Sequence, residues 1–442
     1  MKKSYQQTKN GLERTIFPLV KEVLLPNFRR RLYFAGIPLG NQHREPLTAL
    51  QAKQMFQLRP ADGKARIFLN LSAVAYIDNR SGIPRVVKSL AKEGILSNDV
   101  ELIPVYADLE TGVFNIAKSQ AKALTGRELN VPENIMAVAA GDIFLNVTVN
   151  PNELTFEHEA FQAMRAVGVR VLCMVHDLIA VLQPEFSRDR DTRHLHDWLY
   201  LIIRYDGIFA NSQTTLAAFE TWVKKEKIQL PKGFQKIWFH LGADLQSDIA
   251  LDDQCHDSAV LSIATDKIPY FMQVGTVELR KGHDDLLSGF EKLWAEGLQL
   301  RLVIVGRKGW KVKQVTDKIK SHPQNGKLLV WFDNIDDIAL HCLYRHAEAV
   351  VLASKAEGYG LPVAEGAWFG RPLLLRDLPI FKEIAQNGAT YFSGGGNELA
   401  EAIKQLHEKI IRGESVPMPK ANQFPNWQQS FKMLQKKLLT DY

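Results

Sequence analysis

From about residue 66 onward, short apolar runs alternate with amphipathic stretches. The first series is Ile67–Leu71, Leu102–Tyr106, Ile143–Val147, Val169–Val175, Ile208–Ala210 and Ile237–Leu241. A second follows at Tyr270–Val274, Leu300–Val305, Leu328–Phe332, Ala349–Ala353, Leu373–Leu375 and Thr390–Phe392. Runs this short, apolar throughout and rich in Val, Ile and Phe, predict strands covered on both faces of a parallel sheet. The stretches between them read as helices. Over Ile83–Lys92 the stripe is Ile83, Val86, Val87 and Leu90, with Pro84 in the first turn and Gly94 as the stop. Over His283–Glu296 it is Leu286, Leu287, Phe290, Leu293 and Trp294, with Asp284 and Asp285 at the start and Gly297 after the end. Asp377, Pro379 and Gly388 bracket a third helix around Phe381, Ile384 and Ala385. Near the C-terminus Trp427, Phe431, Leu434 and Leu438 share one helical face, which should lie across another part of the molecule. Strand–helix alternation repeated twice predicts two doubly wound α/β domains. The polar stretch Asp244–Lys267 is the natural divide. The expected organisation is therefore an extension over 1–60, a Rossmann-like domain over 61–250, a second over 251–415 and a closing helix over 416–442.

Composition narrows the class without changing this picture. The 442 residues are 46% hydrophobic and 24% charged, ordinary globular values that exclude a disordered or collagen-like chain. No apolar run reaches the ~18 residues of a membrane-spanning helix, and the N-terminus does not read as a signal peptide. The three cysteines, Cys173, Cys255 and Cys342, lack paired spacing, so a reduced, cytoplasmic protein is expected. Residues 1–33 carry eight Lys and Arg against Glu13 and Glu22, which accounts for the whole net charge of +6. The rest of the chain is neutral, which argues against nucleic-acid binding and points to one basic N-terminal element. With Ile16, Val20, Val23, Leu24 and Phe28 interleaved, that element suits either an anionic membrane surface or packing on the protein's own domain.

Chemistry concentrates where strands give way to glycine-rich turns. In Ala349–Gly370 a strand ends near Ser354, Gly358 and Gly360 follow, and a helix opens near Pro362. Carboxyl ends of parallel strands and the positive ends of helices are where anionic ligands bind. Glu357 in the turn and Glu365 in the first helical turn could reach two points on one ligand bearing phosphates and sugar hydroxyls. The same pattern admits a capped corner with solvated glutamates. In Phe271–His283 a strand ends at Gly275, and Arg280 and Lys281 stand side by side before a helix. Cations at the positive end of a helix dipole call for a compensating anion, and a diphosphate would supply one. A solvated basic pair is the plainer alternative. His176 ends an apolar strand beside Asp177, where a structural histidine is the commoner case. Gly82, in Asp78–Arg85, could offer its N–H to a phosphate or serve only in a capping turn. The chain lacks GxGxxG after a strand, GxxxxGK[ST] and GxSxG, which argues against a dinucleotide dehydrogenase, a P-loop NTPase and the usual α/β-hydrolase. His194 with His196, and His341 with His346, lack metal-ligand spacing.

Taken together, these corners resemble the GT4 family of retaining glycosyltransferases, which have the GT-B fold. EGYGLPVAEG resembles the family's E-x7-E signature, with Glu357 and Glu365 at its ends. VGTVELRKGH resembles its diphosphate-binding Arg–Lys segment, VHDL its N-domain histidine, and IWFHLGAD the element closing the N-domain. The likeness covers roughly residues 65–440. SGIPRVV and VGTVELRKGHDDLL give it the flavour of bacterial mannosyl- and rhamnosyltransferases that build surface polysaccharides such as O-antigen or capsule.

The resemblance implies two Rossmann-like domains facing a cleft, an acceptor-binding one over 61–250 and a nucleotide-sugar-binding one over 251–415. Residues 416–442 would cross back to the first. It implies that Arg280 and Lys281 grip the donor diphosphate, with Gly82 and Gly275 nearby. Glu357 and the amides of Gly358, Tyr359, Gly360 and Leu361 would hold the sugar, Glu365 the ribose, and Asn334 within Phe332–Asp337 the base. His176 would lie over the sugar. No cofactor or metal is expected beyond the nucleotide-sugar itself, with GDP-mannose favoured and dTDP- or UDP-sugars as the alternative. The expected acceptor is a glycan, undecaprenyl-linked, at the inner membrane face, with residues 1–33 as a peripheral contact. A non-catalytic GT-B binding subunit is the reading from a different class. Ser393–Gly396 departs from the family's more usual Pro/Asp-containing turn.

Overall fold

A computed structural model of the chain describes residues 55–60, 65–72, 74, 82–108, 113–147, 156–243, 255–420 and 423–440. The basic segment 1–33, residues 78–81 of the Gly82 loop and Asp244 of the IWFHLGAD stretch lie outside the described residues.

Among the described residues the chain runs β1 (Gln57–Leu58), β2 (Arg66–Asn70), α1 (Gly82–Leu96), β3 (Glu101–Ala107), β4 (Phe114–Ile116), α2 (Lys118–Thr125), β5 (Ala137–Val138) and β6 (Ile143–Asn146). It continues through α3 (Phe156–Ala166), β7 (Arg170–Val175), α4 (Ile179–Leu182), α5 (Asp189–Ile202), β8 (Gly207–Ala210), α6 (Gln213–Lys225) and β9 (Gln235–Trp238). The second series is α7 (Ser258–Ala264), β10 (Tyr270–Val274), α8 (His283–Ala295), β11 (Arg301–Val305), α9 (Lys313–Ser321), β12 (Leu329–Phe332), α10 (Asp337–His346) and β13 (Ala349–Leu352). It closes with α11 (Leu361–Trp368), β14 (Leu373–Arg376), α12 (Pro379–Ala385), β15 (Thr390–Phe392), α13 (Gly396–Ile411) and α14 (Trp427–Thr440).

The strands form a seven-stranded sheet of order β4-β3-β2-β6-β7-β8-β9, a six-stranded sheet of order β12-β11-β10-β13-β14-β15, and a pair β1-β5. Among the described residues, every pairing in the six-stranded sheet is parallel. In the larger sheet β4 runs antiparallel to β3, a short edge strand added to an otherwise doubly wound order. By compactness the chain divides into two units. The first holds the described residues up to Met174 with Asp197–Gly207 and Leu230–Phe234; the second holds Val175–His196, Ile208–Gln229 and Gln235 onward. The segments following β7, β8 and β9 therefore belong to the same unit as the six-stranded sheet.

The runs of the sequence pattern become strands because their residues have apolar neighbours on both faces. Phe271, Leu302, Ile304, Val351 and Leu374 form one core with Leu286, Leu287, Phe290 and Leu293 of α8 and Leu399 and Ile403 of α13. Two helical expectations need correction. Helix α1 continues to Leu96, so Gly94 is buried inside it and does not stop it. Ile83, assigned to its buried stripe, is exposed, and Pro84 takes the inner position at the first turn.

Helix α14 buries Trp427, Phe431, Leu434 and Leu438, the four residues of its apolar face. Within the second unit it lies against the segment after β9. Ala243 N donates to Pro425 O at 2.9 Å, Ser430 Oγ to His240 O at 2.6 Å, and Lys437 Nζ to Trp238 O at 2.6 Å. A Cβ on Gly242 would overlap Trp427, so the two backbones meet where only glycine fits. Truncating Phe431 to Ala should cost about 3–5 kcal/mol, read as a lower denaturation midpoint. An unchanged midpoint would contradict this docking.

Candidate active site

The carboxyl end of β10 builds the first half of the site. Beyond Val274 the Gly275 N–H is already committed to Val305 O at 2.8 Å, so this glycine offers no free amide. Its lack of a side chain instead leaves room for the Lys281 stem, whose Cε would stand 3.3 Å from a Cβ there. A turn over Leu279–Lys281 presents Arg280 and Lys281, and Gly282 ends it at φ 65° with the Ala353 carbonyl where a Cβ would be. Gln273, buried in β10, joins this turn to the next strand. Its Nε2 donates to Lys281 O at 3.0 Å and its Oε1 accepts Ala353 N at 2.9 Å. Lys355 N adds a bond to Arg280 O at 2.7 Å.

The carboxyl end of β13 builds the other half, because Glu357 turns back onto those cations. Lys281 Nζ lies 2.6 Å from Glu357 Oε2, and Arg280 Nη1 lies 3.2 Å from Oε1. Ser354 Oγ donates to Oε2 at 3.2 Å. Arg280 also holds Glu278, at 2.6 Å through Nη2. The side chains of Lys281 and Glu357 are each only 8% exposed, and that of Glu278 2%. The anions that compensate the basic pair at the α8 N-terminus are thus Glu357 and Glu278 themselves.

Burial alone would raise the Glu357 pKa, but Lys281 and Arg280 outweigh it and hold the carboxyl at about 2. Burial does win at Glu278, which is pushed up against the pull of the same cations. Burial works against the Arg280 charge too, yet Glu357, Glu278 and Asp177 raise its pKa further. His283, buried at the start of α8, is pushed down to about 3 by burial and by Lys281. Two cations, one firmly ionised carboxylate and a second that resists ionisation therefore share one water-poor corner.

The loop after Glu357 is held by its surroundings. Gly358 lies against the backbone of His176 and the side chain of Asp177; a Cβ there would stand 2.7 Å from His176 O. Gly360 has φ 90° and faces the Phe381 ring, a position only glycine tolerates, and it opens α11. Tyr359 is buried and donates from its hydroxyl to Leu241 O at 2.9 Å. Both glycines are thus demanded by packing, a reason the sequence reading did not give.

The structure brings Arg280, Lys281, Glu357 and the His176–Asp177 backbone together, all within the second unit. Glu365 differs from its expected setting. Helix α11 begins at Leu361, so Glu365 stands in the second turn, buried, with Oε2 accepting from Tyr344 Oη at 2.7 Å. Asn334 is exposed after β12 and accepts from Arg307 Nη2 at 3.4 Å, while Asp336 caps α10. Gly82 opens α1 in the first unit. Glu278, Gln273, Ser354 and Asp177 receive no role from the sequence alone, although Glu278, two residues before the basic pair, and Asp177, beside His176, carry a local signal. Among the described residues no cluster of His, Cys, Asp or Glu is built to hold a metal ion.

Residues 260–424, which contain this whole corner except the His176 segment, match the family described as Glycosyl transferases group 1. This part of the chain is a group 1 glycosyltransferase domain. The chain is 31% identical over 382 residues to the serotype-specific mannosyltransferase WbdA of Escherichia coli, covering 84% of this chain and 46% of that protein. It is 26% identical over 153 residues to the O-antigen chain mannosyltransferase RfbU of Salmonella typhimurium, covering 33% of this chain and 42% of that one. The chain thus spans about half the length of the curated relatives it matches.

Solved structures resemble the chain across most of its length. A glycosyltransferase from Rickettsia africae gives a TM-score of 0.57 at 14% identity, covering 86% of this chain and 100% of that one. Sucrose-phosphate synthase from Thermosynechococcus elongatus gives 0.55 at 15%, covering 85% and 94%. Anabaena HepE, solved with UDP and glucose, gives 0.52 at 14%, covering 84% and 95%. At such identities the likeness concerns the fold, which is GT-B, with two Rossmann-like parallel sheets.

Because Glu357 is held below its ordinary value, its ionised form contributes stability above about pH 4.5, and that contribution fades as pH falls toward 2. Glu357→Gln should therefore melt lower than the unsubstituted chain at neutral pH, with the gap narrowing as the solution is acidified. A gap that stays constant down to about pH 3 would contradict the ion-paired state of this carboxylate.

Proposed function

We propose that the chain is a retaining glycosyltransferase that moves a hexose, mannose favoured, from a nucleoside-diphosphate donor to a growing surface glycan. The observation that carries this reading is the convergence of Arg280, Lys281 and Glu357 beside the backbone of His176 and Gly358. The names of the relatives, mannosyltransferases of serotype-specific and O-antigen glycans, support the sugar and the product class. GDP-mannose is the donor proposed on that basis, and a lipid-linked glycan the acceptor.

The chemistry follows from where charge develops. When the anomeric C–O bond breaks, the sugar becomes oxocarbenium-like and the departing diphosphate gains negative charge. Arg280 and Lys281 are already fixed by Glu278, Glu357 and Gln273, so they meet that charge with little rearrangement. The same two cations do the work a metal ion does elsewhere. Glu357 stays ionised at any physiological pH and acts as a hydrogen-bond acceptor for sugar hydroxyls, with the amides of Gly358–Leu361 beside it. His176 would lie over the sugar and the base would sit near Asn334. The acceptor hydroxyl attacks the anomeric carbon on the face the phosphate leaves. Its oxygen forms the new glycosidic bond, and its proton passes to the departing phosphate oxygen. Configuration is retained.

Lys281→Ala should lower kcat by about a hundredfold or more, the scale for losing a fixed charge at a leaving group, when transfer or donor hydrolysis is assayed in purified protein. Turnover within twofold of the unsubstituted chain would remove Lys281 from the site. Proton NMR of the product should show the donor's own anomeric configuration; an inverted linkage would overturn the proposed geometry of attack.

A further inference from the structure

The carboxylate of Glu383 lies in no motif and touches none of the charged groups above, yet four donors converge on it. Its Oε1 accepts from Gln213 N at 2.8 Å and from His240 Nε2 at 2.8 Å. Its Oε2 accepts from Thr214 N at 2.7 Å and from the Thr214 hydroxyl at 2.5 Å. A carboxylate can only accept, so His240 carries its proton on Nε2. All these residues belong to the second unit. Glu383 projects from α12 and takes up the first two amides of α6. The third, from Thr215, goes to the Ser212 side chain at 2.9 Å. The first three amides of α6 are thereby satisfied, two of them from a helix about 170 residues away in sequence.

Two arms lead from this carboxylate to the loop that follows Glu357. Through α6, the Thr215 hydroxyl donates to the carbonyl of Gly358 at 3.1 Å. Through His240, whose ring centroid is 6.2 Å from that of Tyr359, the segment after β9 is set so that Leu241 O accepts the Tyr359 hydroxyl at 2.9 Å. The anchored groups belong to residues 358 and 359, next to Glu357. Peptide planes turn as units, so holding the Gly358 carbonyl also sets the direction of the next N–H, that of Tyr359.

We infer that Glu383 is a positioning residue, clamping α6 and His240 so that Thr215 fixes the Gly358 carbonyl and Leu241 the Tyr359 side chain of the sugar-side loop. This inference deepens the transferase reading and rests on it for its effect on turnover. The coupling itself is a structural property that can be read without turnover. Burial would raise the Glu383 pKa, but its four donors hold it at about 2, so the clamp stays charged throughout the range in which enzymes are assayed.

The test uses the full chain with Thr215→Val, which keeps the shape and loses the hydroxyl, Thr215→Ser, which restores it, and Glu383→Gln. Amide hydrogen exchange should quicken about tenfold at residues 358–361 in Thr215→Val and Glu383→Gln, with no change at residues 280–282. Thr215→Ser should keep the exchange of the unsubstituted chain. For turnover, kcat should fall about tenfold in Thr215→Val while the Kd for GDP stays within twofold, and Thr215→Ser should recover most of the loss. Should Thr215→Val fail to fold, Tyr359→Phe removes only the hydroxyl that reaches Leu241 and is expected to show the same local quickening. Unchanged exchange at 358–361 in the folded variants, or equal losses in Thr215→Val and Thr215→Ser, would overturn the inference. An unsubstituted chain that turns over no nucleotide-sugar would overturn the transferase reading alone, and the exchange measurement would still decide the clamp.

Discussion

Placing two cations out of water is tolerable only when anions stand within a few ångströms, and the rest of this site follows from how the chain meets that demand. Arg280 and Lys281 arrive on one short turn; Glu278 comes from the same turn and Glu357 from the end of a neighbouring strand. Such a cluster is a poor source of stability, since desolvation offsets most of the attraction. What it supplies is position. Removing Glu357 would take the carboxylate from Lys281, and removing Arg280 would take the cation from Glu278, so the linked charges hold one another to one geometry. A ligand with phosphate oxygens would enter an arrangement whose donors are already aimed.

The scaffold is rigid where this geometry needs it. Gln273 ties the turn to β13, Gly282 lets the turn rest on the Ala353 carbonyl, and Gly360 lets α11 begin against Phe381. The Glu383 bonds extend the same logic to the far side of the loop. In each case two elements are brought together, and a side chain or glycine is set by a neighbour distant in sequence.

That distance explains what the amino-acid pattern could and could not disclose. Apolar runs such as Tyr270–Val274 and Ala349–Leu352 are legible because a buried parallel strand has no polar face to confuse the pattern. The α14 stripe is equally plain. Strands of two or three residues, β1, β4 and β5, carry too few positions to show a period. Gly94 misleads because a glycine buried inside a helix leaves the same mark as one that ends it. Arg280, Lys281 and Glu357 stood out as charges beside glycines at strand ends. Glu365 was placed by its spacing from Glu357, but spacing says nothing of the Tyr344 hydroxyl that it meets. Glu383 and Gln273 were invisible because each is an ordinary polar residue that meets a partner far along the chain, 170 positions away for Glu383 and 80 for Gln273.

The Arg280–Lys281–Glu357 corner is proposed as the seat of a donor diphosphate. A crystal structure of the full chain with GDP tests it most directly. Phosphate oxygens are expected within about 3 Å of both Arg280 and Lys281, with Glu357 left facing the space beyond the terminal phosphate. Nucleotide bound elsewhere, with the Lys281–Glu357 contact closed and no phosphate on either cation, would contradict it.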